Sequence, residues 1–63
     1  MIFKEFKEKL NEGKTLTFID GMGKNHIRYR NGKYWLRNTI TKELYSYDLK
    51  IIWRNYFKEE NNG

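Results

Sequence analysis

The sequence predicts an α+β fold in which an N-terminal helix, a three-stranded antiparallel sheet and a C-terminal helix follow one another, with both helices covering one sheet face. Apolar residues recur at helical spacing near both ends of the chain, which favours a helix at each end. The middle of the chain alternates apolar and polar side chains and contains an Asn-Gly pair, a strong signal for a β-hairpin. We therefore expect one small domain over residues 1–60 and a disordered polar tail over residues 61–63.

The first helix is predicted over residues 2–12, where four apolar side chains share one side: Ile2, Phe3, Phe6 and Leu10. Gly13 follows at the position where a helix commonly ends with a residue of positive φ. Residues 14–20 are rich in strand-favouring side chains and predict the first strand, which ends at the glycine-containing turn of residues 20–25.

The Asn31-Gly32 pair fixes the register of a hairpin between residues 26 and 38. Both residues accept the positive φ that a two-residue type I′ turn requires, so Arg30 is expected opposite Lys33. Because successive side chains of a strand point to opposite sides, one hairpin face is apolar and carries Ile27, Tyr29, Tyr34 and Leu36. The other face, which we call the basic face, carries six residues: His26, Arg28, Arg30, Lys33, Trp35 and Arg37.

The second helix is predicted to end at about Glu60 and to follow a loop and a turn or short strand through Leu44 and Tyr45. The Ser46 hydroxyl is expected to cap this helix, and Asp48 places a negative charge in its first turn. Five apolar side chains recur at helical spacing and are expected to face the core: Leu49, Ile52, Trp53, Tyr56 and Phe57.

Composition narrows the classes of function. The 63 residues include 13 Lys and Arg against 8 Asp and Glu, a net charge of +5 that favours anionic partners. With no cysteine and one histidine, no metal ion or other cofactor is expected. A nucleophilic triad would need Ser46 and His26 to meet an aspartate, Asp20 or Asp48, and the predicted elements do not draw them together. We therefore expect a binding protein and not an enzyme.

Residue usage and hydropathy indicate a source and a compartment. The chain lacks Ala, Val, Pro and Gln, whereas Lys, Asn, Ile, Tyr and Phe, whose codons are AT-rich, supply about half of it. This bias is typical of an AT-rich bacterial genome, or of a phage or mobile element within one. No apolar run, such as residues 51–53, is longer than three residues, so no membrane partner is expected. The expected location is the cytoplasm, that of the host cell if the protein is phage-encoded.

The basic face carries the functional hypothesis. Its four Lys and Arg side chains are expected to contact phosphates, Trp35 to stack on a base and His26 to add charge when it is protonated, as on sheets that bind single-stranded nucleic acid. Arg30 opposite Lys33 is a like-charge pair that costs roughly 0.2–1 kcal/mol, and an anionic ligand would make it favourable. The expected partner is nucleic acid or a nucleoprotein complex.

Two other interpretations stay open. Basic side chains on the exposed side of a hairpin can be ordinary solvated residues, with Trp35 lying on their aliphatic stems. Alternatively, the chain is a phage-type inhibitor of a host defence protein, in the manner of an anti-CRISPR protein, and acts by protein–protein contact. The basic face would then meet an acidic protein surface, or the helix surface around Trp53 and Tyr56 would form a homodimer or target interface.

The predicted order of a helix, three strands and a helix is similar to that of double-stranded RNA-binding domains. That family has a lysine-rich cluster at the start of its second helix, whereas the corresponding stretch here, YSYDLKIIWRNYF, has one Lys. The resemblance therefore implies the order of elements and not binding of duplex RNA. The run NHIRYRNGKYWLRN followed by a helix also resembles the three-stranded DNA-binding arms of phage-type integrases, which implies contact with DNA.

Overall fold

Two helices cover one face of a four-stranded antiparallel sheet in the structure, a computed structural model that describes residues 1–58. The strands lie in the order β1-β2-β3-β4, so each pairs with its neighbour in sequence. The elements are α1 (Phe3–Asn11), β1 (Leu16–Asp20), β2 (Gly23–Arg30), β3 (Lys33–Arg37), β4 (Thr41–Leu44) and α2 (Ser46–Ile52). The predicted α+β class is confirmed. The predicted helix end near Glu60 and the predicted tail over residues 61–63 lie outside the described residues.

The prediction of three strands is wrong because residues 41–44 form a fourth one. This strand pairs with β3, with Tyr34 opposite Leu44 and Arg37 opposite Thr41. Its sequence, TKEL, has a single apolar residue, and Lys and Glu are uncommon in strands. Pairing with β3 and burial of Leu44 outweigh these weak local preferences.

Gly13 ends α1 as predicted, with a φ of 97°. The Gly13 N–H donates to the Leu10 carbonyl at 3.0 Å and the Lys14 N–H donates to the Lys9 carbonyl at 3.2 Å. These two bonds form a Schellman motif, which satisfies carbonyls that the end of a helix leaves unpaired. The chain can then reverse within a few residues and enter β1.

The hairpin register is confirmed at every pair. Asn31 and Gly32 have φ values of 57° and 78°, as the type I′ turn requires. The five predicted pairs are Arg30 with Lys33, Tyr29 with Tyr34, Arg28 with Trp35, Ile27 with Leu36 and His26 with Arg37. The apolar and basic faces are therefore on opposite sides of the sheet, and Ile27 is fully buried.

Strand β2 begins three residues earlier than predicted. The sequence predicts a turn over residues 20–25, but the turn consists of Gly21 and Met22 alone, and Asp20 already pairs with Gly23. The Asp20 Oδ1 accepts the Met22 N–H at 2.8 Å, and Gly23 takes a φ of 113° that allows the strand to restart at once. Lys24 therefore belongs to the sheet.

The core lies between the helices and the sheet. Eight apolar side chains are buried there: Phe6, Leu10, Phe18, Ile27, Leu44, Leu49, Ile52 and Phe57. The expected inward side of α2 is confirmed for Leu49 and Ile52, and Trp53 is half-buried with its ring edge against Phe3 at 5.4 Å. The Trp53 indole N–H also donates to the Met1 carbonyl at 2.8 Å, which holds the start of the chain against this helix.

The helix widens after α2 into a π-helical turn over Trp53–Phe57. The Lys58 N–H donates to the Trp53 carbonyl at 2.8 Å, five residues back. Two consecutive aromatic rings then reach β1: Tyr56 stacks on Phe18 at 4.4 Å, and Phe57 meets the same ring edge-on at 6.0 Å. Tyr56 remains exposed, whereas Phe57 is buried.

Ser46 does not cap α2, so that prediction is wrong. Tyr45 is the N-cap residue, and Ser46 is the first helical residue. Strand β4 runs through Leu44, which leaves Tyr45 alone to make the extended link between strand and helix. Asp48 supports this start because its Oδ2 accepts the Tyr45 N–H at 2.7 Å.

Tyr34 ties β3 to α1, since its hydroxyl donates to the Asn11 Oδ1 at 2.7 Å. Burial and the neighbouring Tyr29 raise the pKa of Tyr34 above its usual value of 10.0. The phenol therefore ionises less readily in the folded protein than in the unfolded chain. Its contribution to stability is full below pH 10.0 and is lost as the pH rises through the folded-state pKa.

We expect Tyr34→Phe to remove part of the loss of stability at alkaline pH. Thermal melts followed by circular dichroism at about pH 8 and about pH 11 measure this loss. Tyr47→Phe is the matched control, because Tyr47 lies exposed in α2. Equal alkaline losses in the two variants would show that another group is responsible.

Candidate nucleic-acid interface

The basic face lies on the side of the sheet away from both helices. Because the register of β2 and β3 is the predicted one, the alternation of side chains places all six basic-face residues together on this open face of the sheet. Further side chains share the open face by the same alternation: Thr17 and Ile19 from β1, Lys24 from β2, and Thr41 and Glu43 from β4.

Charge is distributed unevenly between the open face and the rest of the molecule. The open face holds five of the 13 Lys and Arg residues, which are Lys24, Arg28, Arg30, Lys33 and Arg37. Within residues 1–58, Glu43 is the one carboxylate on this face. On α1, by contrast, Lys and Glu alternate in nearly equal number. Most of the net charge of +5 is therefore concentrated on one side of the sheet.

Trp35 lies in the middle of the open face, paired with Arg28 on one side and Glu43 on the other. Its indole N–H donates to the Arg30 carbonyl at 2.9 Å, which fixes the orientation of the ring. Lys head groups lie over the rings of Phe3 and Trp53, but in the described part of the chain none lies over Trp35. Trp35 is half-buried, so part of the indole is accessible from the open face.

A surface depression of about 420 Å³ adjoins Trp35. Its lining contains no carboxylate and consists of Thr15, His26, Arg28, Trp35, Arg37, Asn38 and Thr41. Four of the six basic-face residues therefore surround one concave site, whereas Arg30 and Lys33 lie beside the hairpin turn. An aromatic ring, two guanidinium groups and several neutral hydrogen-bonding groups can hold a planar ligand that carries a negative charge.

One wall of the depression is held by a pair of asparagines. The Asn25 side chain is buried, and its Nδ2 donates to the Gly23 carbonyl at 3.1 Å. The Asn38 Nδ2 in turn donates to the Asn25 Oδ1 at 3.0 Å. This chain of bonds fixes the segment after β3 to the start of β2.

The fourth strand relieves part of the expected charge repulsion. Lys33 Nζ lies 3.4 Å from a Glu43 carboxylate oxygen, and both side chains are about half exposed. Such a pair contributes about 0–1 kcal/mol, similar to the cost of the Arg30–Lys33 pair that it offsets. The like-charge pair therefore provides weaker support for an anionic ligand than the hairpin sequence alone suggested.

The predicted site residues did not include seven open-face and lining residues: Thr15, Thr17, Ile19, Lys24, Asn38, Thr41 and Glu43. Lys24 was assigned to the turn, although an aspartate before Gly-Met-Gly is a signal for a turn of two residues. Thr41 and Glu43 belong to β4, for which the sequence indicated only a turn or short strand through Leu44 and Tyr45.

The polar residues considered for catalysis are separated by the sheet. His26 lies on the open face, whereas Ser46 begins α2 on the opposite side. Over residues 1–58, no group of three or more His, Asp and Glu side chains could hold a metal ion. In the same range, no helix is long and apolar enough to span a membrane.

Comparison with protein-family models, curated proteins and solved structures finds no match to this chain. The order of elements in the structure is a helix, four strands and a helix, so it differs from the predicted order by one strand. Function is therefore inferred from the geometry of the open face.

Proposed function

We propose that the open face binds single-stranded nucleic acid and that the chain is a non-enzymatic binding protein. The observation that carries this proposal is the concentration of five Lys and Arg side chains around Trp35 and its depression, with Glu43 as the one carboxylate there among residues 1–58. Phosphates would contact the cations, and one base would stack on the indole.

Single strands fit this surface better than a duplex does. A base in a duplex is already stacked, so it reaches Trp35 only when it is splayed out of a single strand. Readout of a DNA duplex commonly uses a helix in the major groove, and the patterned residues of α2, Leu49 and Ile52, are committed to the core. The proposed ligand is therefore a flexible strand lying across the sheet.

The residues have distinct proposed roles. Arg28 and Arg37 line the depression and would hold the phosphates on either side of a base stacked on Trp35. Arg30 and Lys33 would extend the phosphate track towards the hairpin turn, and protonated His26 would add charge within the depression. Sequence preference is expected to be weak, because phosphate contacts and stacking accept every base.

We place the source in a phage or mobile element of an AT-rich bacterium, which agrees with the residue usage. The nucleic acid or nucleoprotein that the chain binds would then belong to the host cell or to that element. A phage-type inhibitor that binds an acidic host protein would use the same cations. It would have no need of a stacked base. The two functions are therefore separated by the dependence of binding on salt and on Trp35.

The test is a titration of a fluorescent oligothymidylate of about ten nucleotides, a length within the range that small single-strand sites cover. Of the five open-face cations, Lys33 is partly neutralised by Glu43, which leaves about four phosphate contacts. The logarithm of affinity should then fall with the logarithm of salt at a slope of roughly −3, at about 0.7 per contact. No binding at about 50 mM salt would refute the proposal, and the basic face would then be either solvated or a site for an acidic protein.

Glu43→Gln provides a gain-of-binding variant for the same titration. Removing this carboxylate frees Lys33, so affinity should rise and the salt slope should steepen by roughly 0.7. Glu12→Gln is the matched control, because Glu12 forms a similar exposed pair with Lys14 at 3.7 Å, close to the end of α1. If both variants raise affinity equally, binding depends on net charge and not on the open face.

A further inference from the structure

A groove of about 420 Å³ lies between α1 and α2, on the helix side of the molecule. Phe3 and Lys7 line it from α1, and Tyr47, Lys50 and Ile51 line it from α2. Because both helices cover the face of the sheet opposite the open face, the sheet lies between this groove and the candidate nucleic-acid interface.

The charges that line the groove are all positive, and they belong to Lys7, Lys50 and Arg54. The Lys7 and Lys50 Nζ atoms lie 6.0 Å and 5.2 Å from the centre of one ring, that of Phe3. Among residues 1–58, no carboxylate lines the groove or forms a salt bridge with these cations. Asp48, the one carboxylate of α2, accepts the Tyr45 N–H instead. The cations therefore repel one another, and an anion in the groove would stabilise them.

Apolar side chains run beside these cations. Tyr47 and Ile51 are one helical turn apart on α2 and are 63% and 45% exposed. Lys50 and Arg54, also four residues apart, form the neighbouring row. A ligand that covers both rows must therefore offer apolar groups as well as negative charge.

The aromatic rings that the helices contribute already pack against other rings. Phe3 meets Trp53 edge-on at 5.4 Å, and Tyr47 stacks on Tyr45 at 5.7 Å. A single strand of nucleic acid gains its neutral attraction mainly by stacking bases on rings, and Ile51 offers none. Aliphatic side chains of a protein can pack on both Tyr47 and Ile51. The groove therefore suits a protein segment better than a nucleic acid.

We propose that this groove binds a short acidic amphipathic segment of another protein. Its apolar side chains would pack on Tyr47 and Ile51, and its carboxylates would pair with the three cations. An amphipathic helix laid in a groove is a common mode of peptide recognition. Charge selects an acidic partner and disfavours a second copy of this chain, whose net charge is +5. Since the sheet separates the groove from the open face, binding here does not depend on nucleic acid.

The probe is a fluorescein-labelled peptide of about 15 residues, with leucines along one helical side and glutamates elsewhere. Fluorescence polarisation at about 0.15 M salt should give a dissociation constant of about 10 μM to 1 mM, as expected for a small interface. The same peptide with serines in place of the leucines should bind at least about fivefold more weakly. No binding of the leucine peptide, or equal binding of the two peptides, would overturn the proposal.

Two variants locate the peptide in the groove. Lys50→Glu should weaken binding of the leucine peptide by at least about tenfold, because it sets like charges against each other. Lys42→Glu is the matched control, since Lys42 is exposed in β4 outside the groove and the change in net charge is the same. It should change affinity by less than about twofold at this salt concentration.

Ile51→Gln removes the apolar contact without a change in charge and should weaken binding by at least about threefold. Ile40→Gln is its control, because Ile40 is 75% exposed and lies outside the groove. Circular dichroism shows whether each variant keeps the fold. Equal effects of a variant and its control would overturn the proposal.

Competition separates the groove from the open face and from a lipid surface. Excess oligothymidylate should leave the peptide bound, whereas displacement of the peptide would place it on the open face and overturn the proposal. Binding to phosphatidylserine vesicles that is lost in Lys50→Glu and tighter than binding to the peptide would assign the groove to a membrane instead. If the peptide binds and the oligothymidylate does not, the proposed function fails and the peptide groove stands.

Discussion

Replacing Phe6 by alanine is expected to destabilise the protein by about 3–5 kcal/mol, the usual cost of truncating a buried phenylalanine. Phe6 is fully buried, and its ring packs 6.1 Å from Phe3 and 5.0 Å from Phe57. A chain of this size has a total stability of about 3–9 kcal/mol, at 0.05–0.15 kcal/mol per residue. The substitution should therefore remove at least about a third of the total stability and, at the lower end of that range, unfold the protein at room temperature.

Urea denaturation followed by circular dichroism measures this effect. Tyr47→Ala is the control because Tyr47 is exposed and stacks on the equally exposed Tyr45 at 5.7 Å, so the loss should be below about 1 kcal/mol. Trp53→Ala should fall between the two, since Trp53 is half-buried but bonded to the Met1 carbonyl. A Phe6→Ala protein with wild-type urea stability would show that the helices do not pack on the sheet as described.

The features that the sequence predicted correctly depend on short-range signals. Asn31 and Gly32 determine a turn by their own backbone preferences, and the turn alone then determines each pairing of β2 with β3. Gly13 determines the end of α1 in the same way. The composition of the basic face follows from this register, so its six residues could be placed together before the structure was known.

The features that the sequence did not predict depend on tertiary contacts. Residues 41–44 have weak strand preference and become a strand because β3 offers an edge and Leu44 enters the core. The N-cap of α2 is Tyr45 and not the predicted Ser46 for the same reason, because the formation of β4 leaves Tyr45 as the sole residue between strand and helix. The depression beside Trp35 also depends on β4, because Thr41 forms part of its wall.

These corrections change the electrostatic description of the candidate site. The hairpin alone presents a basic face with no carboxylate, whereas the four-stranded sheet adds Glu43 beside Lys33 and Lys24 at the far end of β2. The negative charge of Glu43 and the positive charge of Lys24 cancel, so the net charge of the face is unchanged. The positive charge is reduced near Lys33 and increased near Lys24. The centre of the basic region therefore lies at Arg28, Trp35 and Arg37, around the depression.

Replacing Trp35 by alanine is expected to weaken binding of a single strand by about 1–3 kcal/mol, the usual loss when a stacked base loses its aromatic partner. The salt slope should stay nearly the same, because the indole carries no charge and contributes no phosphate contact. Arg28→Ala should do the reverse and reduce the slope by about one contact, or roughly 0.7. Oligonucleotide titrations at four or more salt concentrations give both quantities for each variant.

Trp35→Phe separates stacking from the fold of the hairpin. Phenylalanine keeps an aromatic ring but loses the hydrogen bond from the indole N–H to the Arg30 carbonyl, so it should retain more binding than alanine does. If both variants weaken binding by the same amount, binding requires the hydrogen bond from the indole to the Arg30 carbonyl and not the aromatic ring. If neither variant changes affinity while the slope remains near −3, the cations bind phosphates without a stacked base, and the indole serves only to order the hairpin.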